Sequence, residues 1–184
     1  LQNRIAAPIQ VETFKDNLLY STQRTNYNNF NGFYLPEVIQ TAKEGQILED
    51  RVVYHNYDNK GNPVEVSKKD GTKIYYVWGY QQTQPIAKIE GYTDTELTNI
   101  NNLINTAVSI SNNETDTVSE NNLRSALNAI RNNANMVNSQ ITTFTYDPLI
   151  GVTSITDPRG QTVYYEYDNF NRLEFIKDAD GNLL

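Results

Sequence analysis

Few residues in this chain of 184 can do acid–base, nucleophilic or metal chemistry: it has one histidine and no cysteine. A Ser–His–Asp hydrolase needs its imidazole beside an activated serine, and no serine here lies in a nucleophile motif. His55 stands instead in a run with Tyr54 and Tyr57 that has strand patterning. Without cysteine there is no thiolate zinc site, disulfide framework or cysteine nucleophile. Asp157 and Glu166 are the residue types that cleave glycosides. Asp157, however, opens the turn Asp157-Pro158-Arg159-Gly160, and Glu166 alternates with Tyr165 and Tyr167 as an outward strand position. Asp178-x-Asp180-Gly181-Asn182 has the opening of a calcium loop, without the later bidentate Glu or the helical flanks. No catalytic, metal or cofactor site is expected. Tyrosine is the remaining chemistry, with 13 in the chain. Same-phase tyrosines on neighbouring strands pack as an aromatic ladder. Tyr75-Tyr76 and Tyr164-Tyr165 put rings on both strand faces, so Tyr75 and Tyr164 are the candidates for stacking sugars.

The elements that carry these tyrosines repeat. Tyr57 to Gly71, Tyr146 to Gly160 and Tyr167 to Gly181 are each 14 positions apart, and Gly71 to Trp78 and Gly160 to Tyr167 are each 7, a period of 21. Val66, Ile155 and Ile176 share one phase; Ile74 and Val163 share another; Tyr76 and Tyr165 a third. A fixed period of this length marks a repeat architecture. Asp followed at once, or two or three places on, by Gly is turn chemistry, because Gly accepts positive φ and Asp bonds nearby amides. Asn171 holds the place of Gly61, and Asn is the commonest other residue at positive φ. Ile74, Tyr76 and Trp78, like Val163, Tyr165 and Tyr167, alternate at period two, which is strand. Each unit is two short antiparallel strands and two turns, too small to bury its own face. Units must therefore join edge to edge in one sheet.

These residues resemble the YD repeats of RHS (rearrangement hotspot) proteins, a family of large bacterial chains. The pattern Tyr-Asp-x-x-Gly-Arg-Leu, Asp-x-x-Gly, Tyr-x-Tyr-Asp is met by Tyr165, Tyr167, Asp168, Arg172, Leu173, Asp178 and Gly181. Earlier copies use Tyr57, Asp58, Gly61, Asp70, Gly71, Tyr76 and Trp78, then Tyr146, Asp147, Asp157 and Gly160. Trp78-Gly79 stands for Tyr-Asp, and Tyr146 to Gly151 reads as carrying one extra residue. The likeness covers residues 52–91 and 142–184. It implies a structural, non-enzymatic role in the wall of a hollow shell of spiralling repeats that encloses or presents a C-terminal effector, a toxin, in bacterial competition or delivery. The partners implied are then the remainder of the same chain, flanking repeats and effector, and the location extracellular or at the cell surface. The alternative is a cell-surface adhesion or carbohydrate-binding module, with glycans as partners.

The rest of the chain frames the repeats, and the fold expected is mainly β with an α-helical hairpin insertion, antiparallel YD-repeat hairpins forming a curved open sheet. Residues 1–56 read as β hairpins of degenerate repeat type. Ile9, Val11 and Thr13 alternate; Lys15-Asp16-Asn17, Asn28 to Gly32 and Lys43-Glu44-Gly45 are turns; and Pro36 marks an edge or bulged position. Residues 57–91 form one repeat unit and 142–184 further units. Between them, residues 92–141 change period: Leu97, Ile100, Leu103, Ile104, Ala107 and Val108 share a helical face, as do Leu123, Ala126, Leu127 and Ile130. Thr93-x-x-Glu96 and Thr117-x-x-Glu120 read as capping boxes. The net charge of −7 argues against nucleic acid, which needs a basic face. No stretch approaches a membrane span, so no membrane insertion is expected. The chain starts with Leu and stops just after a repeat turn, which reads as an excerpt of a longer protein.

Overall fold

The computed structural model describes residues 8–184, so the first seven residues of the expected N-terminal hairpins lie outside the described part. The strands are β1 (Gln10–Lys15), β2 (Leu18–Phe30), β3 (Phe33–Lys43), β4 (Glu49–Tyr57), β5 (Pro63–Lys68), β6 (Lys73–Gly79) and β7 (Gln84–Glu90). After the helices α1 (Asp94–Asn99), α2 (Asn101–Ser111) and α3 (Thr117–Arg131) and a 3-10 turn, Ala134–Met136, come β8 (Gln140–Asp147), β9 (Gly151–Thr156), β10 (Thr162–Tyr167) and β11 (Leu173–Lys177). Strand order follows the sequence from β1 to β11, with β1 and β11 as the two edges of an open sheet. The strands from β1 to β5 and from β7 to β11 pair antiparallel with their neighbours, as hairpin connections require. The chain divides into two compact units, residues 1–74 and 75–184.

The first unit is a set of hairpins. Its two-residue loops Asp16-Asn17 and Asn31-Gly32 have positive φ throughout, the condition for turns whose twist matches the flanking strands. The expected turn over Asn28 to Gly32 is narrower than that, since Asn28 and Asn29 still pair with Leu35 and Tyr34. Pro36 sits where the β2–β3 register shifts, between Asn26↔Val38 and Tyr27↔Pro36. The residue skipped there is Glu37, so Pro36 flanks the bulge, and it is not on an edge strand, since β3 also pairs with β4. One face carries a polar ladder: Arg24 donates to Gln10 (2.8 Å), Asn26 to Gln40 (3.3 Å) and Gln40 to Asp50 (2.7 Å). Among the described residues of this unit only Ala42, Val66 and Ile74 are buried hydrophobics.

The second unit is where the core lies. Val77 of β6, Ile86, Ala87 and Ile89 of β7 and Ile141 of β8 pack with Ile100, Ile104, Ala107, Leu123, Leu127 and Ile130 of the helices, closed by Met136. The stripes read from the 3.6 periodicity are the ones that bury. The helical segment differs from a simple hairpin in two respects. It breaks at Ile100 into α1 and α2 among four asparagines, which have low helix propensity (Asn99, Asn101, Asn102, Asn105). Thr93 and Glu96 do form a capping box, but the second cap is Asp116 with Ser119, not Thr117 with Glu120. Asp116 supplies a better-placed carboxylate one residue earlier, which leaves Glu120 free for another contact.

Candidate functional site

One five-residue turn recurs through both units. At Asp58, Asp157, Asp168 and Asp178, Oδ1 accepts from the backbone N–H two and four places on, all at 2.8–3.0 Å. The aspartate N–H donates to the carbonyl four places on (Asn62, Gln161, Arg172, Asn182), and the residue three places on returns a bond to the aspartate carbonyl. That third residue is Gly61, Gly160, Asn171 or Gly181, each with φ between 60° and 84°. Lys68 to Thr72 has the same backbone pattern with Gly71 third. Lys68 cannot supply the acceptor, and Asp70 takes the Thr72 N–H instead. Side-chain bonds from Arg172 and Asn182, then bonds from backbone amides, hold the carboxyls of Asp168 and Asp178 below the usual carboxylate range. Glu166 lies apart from this chemistry and pairs with Lys177 at 2.6 Å.

Two kinds of hairpin alternate on this turn. After the tyrosine–aspartate pairs, Tyr57 faces Pro63, Tyr146 faces Val152 and Tyr167 faces Leu173. One step back, Asn56 faces Glu65, Thr145 faces Ser154 and Glu166 faces Phe175. Val64, Thr153 and Glu174 are thus the same extra residue, a β-bulge that sharpens local twist. The turn at Asp157 has none: Thr156↔Thr162 and Ile155↔Val163 run flush. At each bulge the tyrosine hydroxyl donates to a carbonyl of the preceding strand, Tyr57 to Pro36 (2.7 Å), Tyr146 to Pro85 (3.1 Å) and Tyr167 to Val152 (2.9 Å). The repeat tyrosine is a hydrogen-bonded tie between successive strands.

The extra residue expected between Tyr146 and Gly151 is absent: the pairing of that copy matches the other two, and Ile150 occupies the third turn position. Gly151 has another reason to be glycine, because a Cβ there would come within 2.5 Å of the Tyr167 hydroxyl.

The helical insert meets the repeats along a polar seam. Thr143, Thr145, Ser154 and Thr156 are buried on β8 and β9. Arg131 donates from Nη2 to Ile141 O (3.2 Å), Thr143 Oγ1 (2.9 Å) and Thr156 O (3.1 Å). Arg124 donates from Nε to Ser154 Oγ (3.1 Å), pairs with Glu120 (2.6 Å) and lies over the Tyr164 ring (5.2 Å). The bulged Thr153 donates to Glu120. Sequence reasoning missed this seam, although Thr143 and Thr145 follow Ile141 at period two and so share its buried face.

A second link crosses to the β6–β7 turn. Tyr80, Gln81 and Gln82 have φ of 49°, 58° and 63°, three successive left-handed residues without glycine. Such geometry persists only where surroundings over-determine it. Tyr80 N–H donates to Ser111 Oγ (3.3 Å), Gln81 N–H to Asn112 Oδ1 (2.6 Å), and Tyr80 Oη to Glu114 Oε2 (2.6 Å) while accepting from Tyr146 N–H (3.0 Å). Burial, aided by Glu120 and Asp147, raises the Glu114 carboxyl above its ordinary value. Burial likewise pushes the phenol of Tyr80 up and that of Tyr146 to about 12.

The remaining expected residues fall into strands. Tyr76, Trp78 and Tyr165 are half-buried; Leu173 is exposed. Tyr75 meets Tyr92 edge-on at 6.0 Å and Tyr164 is covered by Arg124, so both are half-buried with partners. His55 pairs with Ser67 at 2.9 Å.

Hairpins that repeat an aspartate turn, and a bulge with its tyrosine tie, define a β-repeat protein. Residues 151–183 match the RHS Repeat family model, so the chain carries an RHS repeat. No curated protein matches the chain. Among solved structures it is similar to TcdB2-TccC3 without its hypervariable C-terminal region, at 12% identity and TM-score 0.46 over 91% of this chain and 7% of that one. It is also similar to a chain of the Photorhabdus luminescens Tc holotoxin pore with a mutated TccC3, at 10% identity and TM-score 0.42 over 95% of this chain and 9% of that one. The chain thus spans less than a tenth of the length of either. Among the described residues no helix is long and apolar enough to cross a membrane, which does not bear on strands.

Proposed function

We propose that this chain is a structural, non-catalytic segment of an RHS-repeat wall that encloses or presents an effector, a toxin, carried further along the same polypeptide. The observation that carries the reading is the repeated joint: bulge and tyrosine tie recur at Tyr57, Tyr146 and Tyr167. A joint of fixed geometry adds strands one after another in a constant sense, which is what a wall requires. The repeated residues Asp58, Asp157, Asp168, Asp178, Gly61, Gly160 and Gly181 build the turns between strands, with every one of these aspartates committed to its own turn. Partners in this reading are flanking repeats and the effector, and the complete protein works outside the cell that makes it. The glycan reading has no comparable support, since Tyr75 and Tyr164 spend ring faces or edges on Tyr92 and Arg124.

The test is limited proteolysis of the protein made from the complete reading frame that contains these residues. A C-terminal effector should resist protease in the intact protein and become sensitive once the wall is opened by urea. An effector digested as fast in the intact protein as alone would remove the enclosing role.

A further inference from the structure

The chain holds a single Asn-Gly dipeptide, Asn31-Gly32. It is the two-residue loop of the hairpin between β2 and β3, the two longest of the described strands. Asparagine before glycine is chemically labile, because glycine has no Cβ to keep its nitrogen away from the neighbouring carboxamide. The Gly32 nitrogen forms a bond to Asn31 Cγ, the Cγ–Nδ2 bond breaks, and Nδ2 leaves as ammonia with the proton that Gly32 gives up. A cyclic imide remains. Water opens it at either carbonyl to leave aspartate or isoaspartate, and water is the sole co-reactant. Both residues are exposed, and a Cβ built on Gly32 would meet nothing within 4 Å, so water reaches the loop.

The fold sets an obstacle to the first step. Gly32 N–H donates to Asn29 Oδ1 at 2.8 Å. The attacking species is the amide that has lost its proton, and an acceptor on the N–H keeps that proton in place. Asn29 is itself held: its N–H donates to Asn28 Oδ1 (2.8 Å), Asn28 Nδ2 donates to Glu37 Oε1 (2.8 Å), and its backbone pairs with Tyr34. In the two Asp-Gly dipeptides, Asp70-Gly71 and Asp180-Gly181, the glycine N–H donates instead to a backbone carbonyl, of Lys68 (2.9 Å) and of Asp178 (3.1 Å). At Asn31-Gly32 a side chain supplies the acceptor, and a substitution can remove it.

We propose that Asn31 is a deamidation site that Asn29 holds in check through the Gly32 N–H. Isoaspartate there adds a carbon to the main chain of a loop in which Asn31 (φ 51°) and Gly32 (φ 90°) both stand at positive φ. The altered loop no longer matches the twist of its strands, and the Phe30↔Phe33 end of the hairpin opens. The site stands independently of the wall reading, because its chemistry lies within one hairpin.

The experiment is prolonged incubation of the 184-residue protein in mildly alkaline buffer. Anion exchange resolves the product by its added negative charge, and peptide mapping locates it. The wild type should react more slowly folded than in urea. Asn29→Ala should react about fivefold faster than the wild type, the worth of one hydrogen bond. Asn29→Asp keeps an acceptor and should stay close to the wild-type rate. Hydrogen exchange at the Phe30 and Phe33 amides is read alongside, and should show the hairpin of Asn29→Ala still closed. An unchanged rate in Asn29→Ala, equal acceleration in Asn29→Asp, or equal wild-type rates with and without urea would overturn the proposal. So would loss of exchange protection in Asn29→Ala in step with its reaction, because general loosening would then replace the specific guard.

Discussion

The two units build with the same strands but are held together differently. Residues 8–74 form hairpins whose large apolar side chains stay open: Ile9, Val11, Phe14, Leu18, Tyr20, Phe33 and Tyr34 are all exposed. Their cohesion comes from strand pairing, turns and the polar ladder through Gln10, Arg24 and Gln40. Residues 75–184 bury Ile86, Ala87, Ile89, Ile100, Leu123 and Ile130 completely or nearly so. The difference is the insert, since a sheet gains little from burial until another layer covers a face. The repeat sets where the strands go, and the helices decide which of them acquire a core.

Removing part of that second layer should produce the largest effect. Leu127, 1% exposed, faces the sheet core. Leu127→Ala is expected to destabilise the second unit by about 2–5 kcal/mol, while Val11→Ala at an exposed β1 position changes stability by less than about 0.5 kcal/mol. Urea unfolding read separately on probes in the two units checks this. Equal losses from both substitutions would erase the contrast.

The next effect probes the joint that the units have in common. Gly151→Ala forces a methyl against Tyr167 and should cost about 1–3 kcal/mol. Tyr167→Phe loses the bond to Val152 O and should cost about 1 kcal/mol, as should Tyr57→Phe in the first unit. In a double-mutant cycle with Tyr167→Leu, the penalty of Gly151→Ala should shrink. An additive cycle would mean that Gly151 is glycine for some reason other than this tyrosine.

Turn chemistry comes third. Asn171 stands at φ 60° where the same turn elsewhere has Gly61, Gly160 and Gly181. Asn171→Ala should cost about 1 kcal/mol, and Asn171→Gly should be close to neutral. Thermal melts distinguish them. A neutral alanine would show that this turn tolerates another backbone form, as the Asp147 turn does with Ile150.

How much of this was legible follows from which forces are local. The turns could be read because Asp58 or Asp168 bonds amides two and four residues away, within one short window. The capping box at Thr93 is legible for the same reason. The strand patterns of Ile74, Tyr76 and Trp78 and the helical stripes through Ile100 and Leu127 follow from period alone. The polar seam was not read, because Arg131 and Thr156 are 25 positions apart and a buried threonine looks like any strand threonine. The second cap was misplaced by one residue, since Thr117 and Asp116 both carry a capping oxygen and only the helix start decides between them. Gly151 was misread as a turn glycine because the residue that excludes its side chain, Tyr167, lies two strands and a turn later.

The smallest expected effect is electrostatic and separates the insert's clasp from the surface turns. Glu114 is raised by burial, with Glu120 and Asp147 adding to it and Arg124 and the Tyr80 hydroxyl opposing. A carboxyl raised in the folded state contributes stability that is fully present below its unfolded value and is lost as pH rises through the folded one. Asp168 and Asp178 are lowered, so their contribution has the opposite course: present above the ordinary value and lost as pH falls. Glu114→Gln keeps an acceptor for Tyr80 but removes the titration. The difference in unfolding free energy between the wild type and this variant should therefore grow in the variant's favour from pH 4 to about 7, whereas Asp168→Asn should show its largest loss at neutral pH. A flat difference for Glu114→Gln would mean that the clasp holds the left-handed turn through Ser111 and Asn112 alone.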